Sequence, residues 1–475
     1  MTTATLTHRP TLRPDAGGHP PAVSRPPVPL WWRDLSAGLA WALVLFVVGL
    51  WVAGGGLTAF GSFGEAMTNT GRLAGLLASV LILVQVFLIA RVPFVEQAWG
   101  QDELLRIHRL VGFTGFNLML AHIVLTVIGY NAGTGLGFLG TLVDLVLHSP
   151  GMLLALAGTI AIVMVAVTSV RRARARLRYE SWHLLHLYAY LGAGLALPHQ
   201  LWTGADFLDS PVATVFWWGV YAAAILSVVV FRVVLPLVRT WRHRLVVSDV
   251  VAESPTVTSV VMTGRRLDRL PARAGQFFTW RFKDGPGWTR GNPYSLSAAP
   301  DGRSLRLTGE ALGDGSSRLA SLPHGTKVLI EGPYGRLHAG VKTRRRSVLL
   351  AAGIGIAPMR ALLEDLPAGP DETVLIYRVG SRDDLVLRQE LLDLAVAKGA
   401  RLVAVVGHRK PGRASWLPAA VTHVDDAGAL TEIVPDVAER DVFICGSPAW
   451  MDSVAAAAHA AGVPQEAIHL ERFAW

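Results

Sequence analysis

The sequence predicts a multidomain membrane protein: an all-α bundle of six transmembrane helices, then a small antiparallel β-barrel, then a parallel α/β domain. Three observations carry this reading. Residues before about 240 contain long uncharged apolar runs, whereas residues 241–475 have the composition of an ordinary soluble protein. Short β-branched runs bounded by Gly, Pro and Asp follow the last apolar run, the pattern of a small all-β unit. From about Ser347 onward, apolar strands alternate with helical stretches, the pattern of a parallel sheet. The resulting divisions are 1–30, 31–240, 241–342 and 343–475.

The stretch 1–30 is rich in Pro, Thr and Arg without apolar periodicity and reads as a disordered tail. Six spans follow, near 36–56, 73–92, 107–129, 149–170, 182–203 and 212–235. Each approaches the roughly 20 residues that a spanning helix needs. Arg25 and Arg33 precede the first span, and Arg91, Arg106 and Arg109 flank the second connection. Arg171, Arg172, Arg174, Arg176 and Arg178 crowd the fourth connection, and Arg239, Arg242 and Arg244 follow the sixth span. The alternate connections carry Glu65, Arg72, Asp144, Asp206 and Asp209. The positive-inside bias therefore puts both termini and the soluble half in the cytoplasm of a multi-pass cell-membrane protein. The same clustering accounts for the formal charge of +9 without nucleic-acid binding.

Four histidines stand in two of these spans. His108 and His122 are 14 positions apart in the third, and His186 and His199 are 13 apart in the fifth. Ionisable groups in hydrocarbon are costly, so they are functional candidates. Either spacing separates the rings by roughly 20 Å along a helix, about two-thirds of the ~30 Å hydrocarbon core. Both spans run outward, so His108 pairs with His186 near the cytoplasmic face and His122 with His199 near the outer face. Paired neutral imidazoles suit the axial positions of haem iron. Thirteen residues return to a helix face less well than fourteen, and Pro198 is the feature that could re-aim His199. His183, one turn before His186, is either a rival ligand or a structural group. The single cysteine, Cys445, excludes a disulfide framework, a four-cysteine iron–sulfur cluster and a C-x-x-C-H haem attachment.

In the soluble half, Gly353-Ile354-Gly355-Ile356-Ala357-Pro358 follows the strand SVLLAA and opens a helix. Glycines there let backbone approach a pyrophosphate at a helix N-terminus. Upstream stand Asn292-Pro293-Tyr294-Ser295-Leu296-Ser297, Gly313-Asp314-Gly315-Ser316-Ser317 and Gly332-Pro333-Tyr334-Gly335, and later Cys445-Gly446-Ser447-Pro448.

On these motifs and the histidine pairs, residues 241–475 resemble the ferredoxin–NADP reductase fold, a flavin barrel followed by a Rossmann-like nucleotide domain. Residues 36–240 resemble the ferric-reductase-type transmembrane domain, which includes the NADPH oxidases. The resemblance implies two b-type haems, on His108 with His186 (inner) and His122 with His199 (outer). It implies FAD at Asn292, Pro293, Tyr294, Ser295, Leu296, Gly315, Ser316 and Trp475. NADPH, with NADH as the alternative, is implied at Gly353, Gly355, Pro358, Cys445 and Gly446. Arg409, Lys410, Arg413 or Arg382 would read a 2′-phosphate. Ser295, Cys445 and Phe473 are the residues placed near the reacting ring edges.

Two departures stand out, and one feature is kept. Asn292 occupies a position that is Arg or His in much of the family, with Arg290 nearby. Thr126 stands where the oxidases carry a further histidine. Arg72 retains an outer arginine at the opening of the second helix. The expected activity is electron transfer from cytoplasmic NADPH to an acceptor outside the membrane, either dioxygen or a ferric or cupric chelate. The alternatives are reduction of a quinone or an exported redox protein, and a membrane-anchored flavin reductase without haem.

Overall fold

The computed structural model describes residues 31–174, 176–177, 179–208, 210–409 and 412–472, together with Ala4–Thr5. Apart from that pair, the stretch read as a tail lies outside the described residues. The chain forms two compact units, one between residues 31 and 231 and one from 232 onward that also takes in Glu96–Asp102.

The first unit is helical: α1 (Trp31–Ala53), α2 (Phe63–Ile89), α3 (Gln101–Thr134), α4 (Gly137–His148), α5 (Met152–Ser169), α6 (Tyr179–Thr203) and α7 (Pro211–Val228). α7 runs through a π-helical stretch into Leu235–His243. Among the described residues, five helices are long and apolar enough to cross a membrane: α1, α2, α3, α5 and Pro211–His243. The remaining expected span, α6, is a 25-residue helix whose apolar run is broken by His183, His186, His199 and Gln200. The short apolar helix α4 was not expected from the sequence.

Local chemistry explains the ends. Ser62 caps α2 in a reciprocal box with Glu65, and Pro211 opens α7, where its missing N–H costs nothing. Val47 and Trp51 of α1, Leu76, Val80 and Leu83 of α2, and Trp217 and Ala224 of α7 share a buried cluster. Trp51 donates its indole N–H to Asn69 Oδ1 at 3.0 Å, and Asn69 Nδ2 reaches the Gly56 carbonyl at 2.6 Å. α5 and α6 pack backbone to backbone: a Cβ on Gly158 would lie 2.7 Å from the Gly192 carbonyl oxygen. Small residues permit such approach between membrane helices.

In the second unit, the region expected as a barrel consists of two three-stranded antiparallel sheets among the described residues. One joins β1 (Val246–Ala252), β2 (Val257–Thr263) and β5 (Ser304–Glu310). The other joins β4 (Asn292–Ser295), β3 (Phe277–Phe282) and β6 (Val328–Tyr334). Isolated bridges at Val246–Lys327 and Leu296–Leu307 link them over one core of Val260, Met262, Phe278, Trp280, Leu307 and Ile330.

The α/β part is a parallel sheet in the order β9 (Arg401–Val406), β8 (Thr373–Val379), β7 (Ser347–Ala352), β10 (Asp441–Cys445), β11 (Ile468–Leu470). Ala4–Thr5 add two antiparallel residues at the β9 edge. Helices α8 (Ile356–Asp365), α9 (Arg388–Lys398), α10 (Asp426–Ile433) and α11 (Pro448–Ala460) accompany it. Strand order reverses direction between β7 and β10, and ligands of such sheets bind at the carboxyl ends beside that switch. The core residues follow that logic, with Leu349, Leu375 and Phe443 on one face and Val348, Ile376 and Ile444 on the other.

Candidate functional sites

In the helical unit the His108 and His186 ring centres lie 6.1 Å apart with planes tilted by 58°. Two imidazoles bound to one metal need about 2 Å per metal–nitrogen bond and about 1 Å more from each nitrogen to its ring centre, which puts the centres roughly 6 Å apart. His186 Nδ1 is 3.3 Å from Ser169 Oγ, and Trp182 stacks obliquely on His186 at 5.0 Å. His108 Nδ1 is buried, beside the backbone of Gln85. His183 sits one turn from His186, within its electrostatic range.

The second pair, His122 and His199, is held by backbone carbonyls. His122 Nδ1 donates to the Gly71 carbonyl at 2.8 Å, with Thr126 Oγ1 3.5 Å away. The ring lies flat against α2 because residue 75 is glycine: a Cβ there would fall 2.7 Å from Nδ1. His199 Nδ1 donates to the Ala196 carbonyl, and His199 lies within electrostatic range of His122. α6 stays helical through Pro198 to Thr203. A carbonyl partner requires the proton on Nδ1, so Nε2 of both rings carries the lone pair a metal needs. The free Nε2 atoms of His122 and His199, and the 6.1 Å ring spacing of His108 and His186, each fit histidine ligation of a haem iron.

Polar groups accompany the second pair. Tyr221 donates to Gln200 Oε1 at 2.7 Å, Gln200 to Ser79 Oγ at 3.2 Å, and Ser79 to the Gly75 carbonyl at 2.9 Å. Arg72 binds Asp206 through two hydrogen bonds of 2.9 and 2.6 Å. Thus the outer arginine noted in the sequence is already engaged by a carboxylate.

In the second unit β4 brings the flavin-type motif beside the Gly313–Ser317 turn. A Cβ on Gly315 would lie 2.7 Å from Asn292 Oδ1, so Asn292 and Gly315 are in contact. Ser316 Oγ accepts from the Leu312 and Gly313 amides at 2.9 and 3.1 Å and donates to the Gly313 carbonyl. Trp280 Nε1 holds the Tyr294 carbonyl at 2.9 Å, and the Tyr294 ring packs against Gly309. Burial pushes the Tyr294 hydroxyl up to about 12, so it is neutral at physiological pH. Pro293 is half-buried, while Ser295 and Leu296 are buried. Arg290 is exposed.

The nucleotide-type loop closes on the end of β10. Gly353 has φ +55 with open space about it, a conformation that favours glycine. A Cβ on Gly355 would lie 2.2 Å from the Cys445 carbonyl oxygen and 2.9 Å from the Gly446 amide. The two backbones therefore meet at the switch point, which accounts for Gly355 and places Cys445 and Gly446 beside it. Pro358 is buried in the first turns of α8. Cys445 is itself buried, and burial with the nearby Glu471 carboxylate pushes its thiol up to about 12.

Glu471 is a site residue that sequence reasoning passed over as part of the terminal motif. It is 4% exposed and packs its carboxylate against Gly335, where a Cβ would come within 2.3 Å of it. Next to it, the Arg472 amide donates to Asp102 Oδ2 at 2.8 Å, and the Arg472 side chain bonds Asp452. Phe473, Trp475 and Lys410 lie outside the described residues. Arg409 donates to the Arg413 carbonyl at 3.4 Å, and Arg413 to the Val421 carbonyl at 3.1 Å.

A buried ionic network ties the loop helix to the flavin-type strands. Arg360 of α8 bonds the Ser297 carbonyl at 3.3 Å and also Glu364. Arg306 of β5 bonds the same carbonyl at 3.0 Å and Glu390 at 2.8 Å through each Nη. Burial disfavours the charge of Glu390, but Arg306 and Arg360 outweigh it and hold its carboxyl below the usual range.

Comparison with known proteins divides the chain at the same place. Residues 74–197 match the family described as ferric reductase like transmembrane component, and residues 349–456 match the oxidoreductase NAD-binding domain. The ferredoxin reductase component of 3-ketosteroid-9-alpha-monooxygenase from Mycolicibacterium smegmatis is 32% identical over 238 residues, 48% of this chain and 64% of that protein. The ferredoxin–NAD(+) reductase component of the alkene monooxygenase system of Xanthobacter autotrophicus is 30% identical over 243 residues, 49% of this chain and 70% of that protein. The chain spans about 60% of the length of the first curated relatives it matches. The FAD/NAD-binding domain of a Vibrio cholerae nitric oxide dioxygenase is similar at 25% identity and TM-score 0.40, over 48% of this chain and 98% of that one.

Proposed function

The chain belongs to the oxidoreductases that join a ferric-reductase-like transmembrane component to a ferredoxin–NADP reductase-type half, and from that premise we propose that it passes electrons from cytoplasmic NADPH across the membrane to an external acceptor, either dioxygen or a ferric or cupric chelate. FAD and two b-type haems, when bound, supply the conversion of a two-electron hydride into single electrons carried across the bilayer.

The chain's own residues supply the positions. The Gly353–Pro358 turn leaves backbone open to a pyrophosphate at the head of α8, and Arg409 and Lys410 would read the 2′-phosphate of the nucleotide. Asn292, Pro293, Tyr294, Ser295, Leu296, Gly315 and Ser316 would hold the flavin, and the resemblance adds Trp475 to that set. Ser295 and Cys445, the latter as a neutral thiol, would flank the reacting edges, with Gly446 on the nicotinamide side, and the resemblance adds Phe473 to that set. Arg306, Arg360 and Glu390 keep the nucleotide loop in register with the flavin strands. His108 with His186 and His122 with His199 would hold the inner and outer haems. The arginine clusters put the nucleotide domains and both termini on the cytoplasmic side of a six-span bundle.

The observation that carries the reading is the 6.1 Å spacing of His108 and His186, which fits one metal between them and gives two packed imidazoles in hydrocarbon a purpose. A reduced-minus-oxidised spectrum of the purified protein under NADPH tests it. Bands of a b-type haem are expected, and their absence favours a membrane-anchored flavin reductase instead. A second reading, delivery of electrons to a protein partner, is supported by the relatives, whose names describe ferredoxin reductase components. It predicts negligible turnover with oxygen or metal chelates until a redox protein is added.

A further inference from the structure

Gln200 stands directly after His199, in the last turn of α6. An amide in hydrocarbon is costly unless its hydrogen-bonding groups are met. Here both ends are met, by two different helices. Tyr221 of α7 donates to Gln200 Oε1 at 2.7 Å, and Gln200 Nε2 donates to Ser79 Oγ of α2 at 3.2 Å. Ser79 donates in turn to the Gly75 carbonyl at 2.9 Å. Gly75 is the residue against which the His122 ring lies, since a Cβ there would fall 2.7 Å from His122 Nδ1. A single hydrogen-bonded chain therefore starts on α7, crosses α6 one residue from His199 and ends on the backbone that seats His122.

His199 needs such a hold. It follows His186 by 13 positions, and an ideal helix would turn it roughly 140° away from that histidine's face. Pro198, inside α6, removes one N–H from the helix, so the backbone beside His199 has one tie fewer. A second contact bears on the same backbone. Gly151, in the turn before α5, has φ +79, and a Cβ on it would lie 2.7 Å from the His199 amide nitrogen and 2.8 Å from its Cα. The His199 backbone is thus fixed twice, by packing against Gly151 and through the tethered side chain of its neighbour.

We infer that Gln200 is a positioning residue for the outer histidine pair, holding the end of α6 against α2 so that His199 keeps its attitude toward His122. The inference rests on the haem reading proposed above and goes beyond it, giving a role to Ser79, Gln200 and Tyr221, which bind no cofactor in that reading. Its rival is plain adhesion, since polar side chains join membrane helices by hydrogen bonds wherever they meet. Adhesion changes stability without distinguishing one haem from the other. Positioning acts on one haem, because the contacts behind an axial ligand tune the potential and spectrum of the iron it binds.

The test uses the full-length protein with Gln200→Leu, Tyr221→Phe, Ser79→Ala and Ser79→Thr. Electron paramagnetic resonance of the oxidised low-spin haems and a potentiometric titration are recorded for each, and His199→Ala identifies the outer signal by removing it. Gln200→Leu should shift the g values and the midpoint potential of the outer haem and leave those of the inner haem at wild-type values. Ser79→Ala should do the same to a lesser degree, whereas Ser79→Thr, which keeps the hydroxyl, should match wild type. Tyr221→Phe loses a single oxygen, and its outer-haem shift decides the matter if Gln200→Leu does not fold. Outer signals unchanged in every variant, or both haems shifted alike, overturn the role of Gln200 while leaving the two haems in place. A wild type without low-spin haem signals contradicts the haem reading itself.

Discussion

His122 turns its Nδ1 proton to the Gly71 carbonyl at 2.8 Å, and the glycine at position 75 lets its ring lie against α2. One backbone carbonyl thereby fixes a tautomer with Nε2 open. His199 repeats the device with the carbonyl of Ala196. Removing one of these rings leaves the inner pair intact. His199→Ala should therefore lower haem content from two per chain to one by pyridine haemochrome assay, with the remaining haem still reduced by NADPH. Complete loss of haem would contradict two independent pairs.

Gly355 stands where a methyl group would collide with the Cys445 carbonyl. Gly355→Ala must push β10 and the loop apart, an overpacking that costs about 1–3 kcal/mol. A lower melting temperature and a weakened response of flavin reduction to NADPH should appear together. Wild-type values of both would show that the two backbones do not meet.

Cys445 is held as a thiol by burial and by Glu471, its pKa pushed up to about 12. The thiolate is the reactive form, so iodoacetamide should label native protein slowly from pH 7 to 10 and denatured protein fast across the upper part of that range. Rapid native labelling at pH 8 would contradict a buried neutral thiol.

Arg72 and Asp206 form a partly buried bidentate pair. Asp206→Asn leaves a guanidinium with half its contacts and should cost about 2 kcal/mol of stability in detergent. Arg72→Gln in the same chain should recover part of that loss, as a double-mutant cycle measures. Additive losses would mean the pair is not coupled.

Much of this architecture is legible in the sequence because it is local. Uncharged runs located the helices, although α2 begins at Phe63, well before the expected 73, and SVLLAA followed by Gly353-Ile354-Gly355 gave the strand, turn and helix that stand there. What escaped is set by distant contacts. Glu471 meets Gly335 across more than a hundred residues, and Asp102 meets the Arg472 amide across 370. Among the described residues, the Nη2 of Arg378 is buried without a hydrogen-bond partner, a property of packing that no spacing encodes. α4, apolar but only 12 residues long, reads as loop because it falls short of a span. The expected barrel resolves into two sheets because sheet pairing depends on register between strands far apart in the chain.

The central claim is that His108 and His186 clasp one haem iron. The most direct measurement is the reduced-minus-oxidised absorbance spectrum under NADPH of wild type, His108→Ala and His186→Ala, with circular dichroism confirming that the helices remain. The account predicts b-type haem bands in wild type and, in either variant, loss of one haem together with loss of NADPH-driven reduction of the other. Variants that keep both haems and their reduction, or a wild type without haem bands, would contradict it.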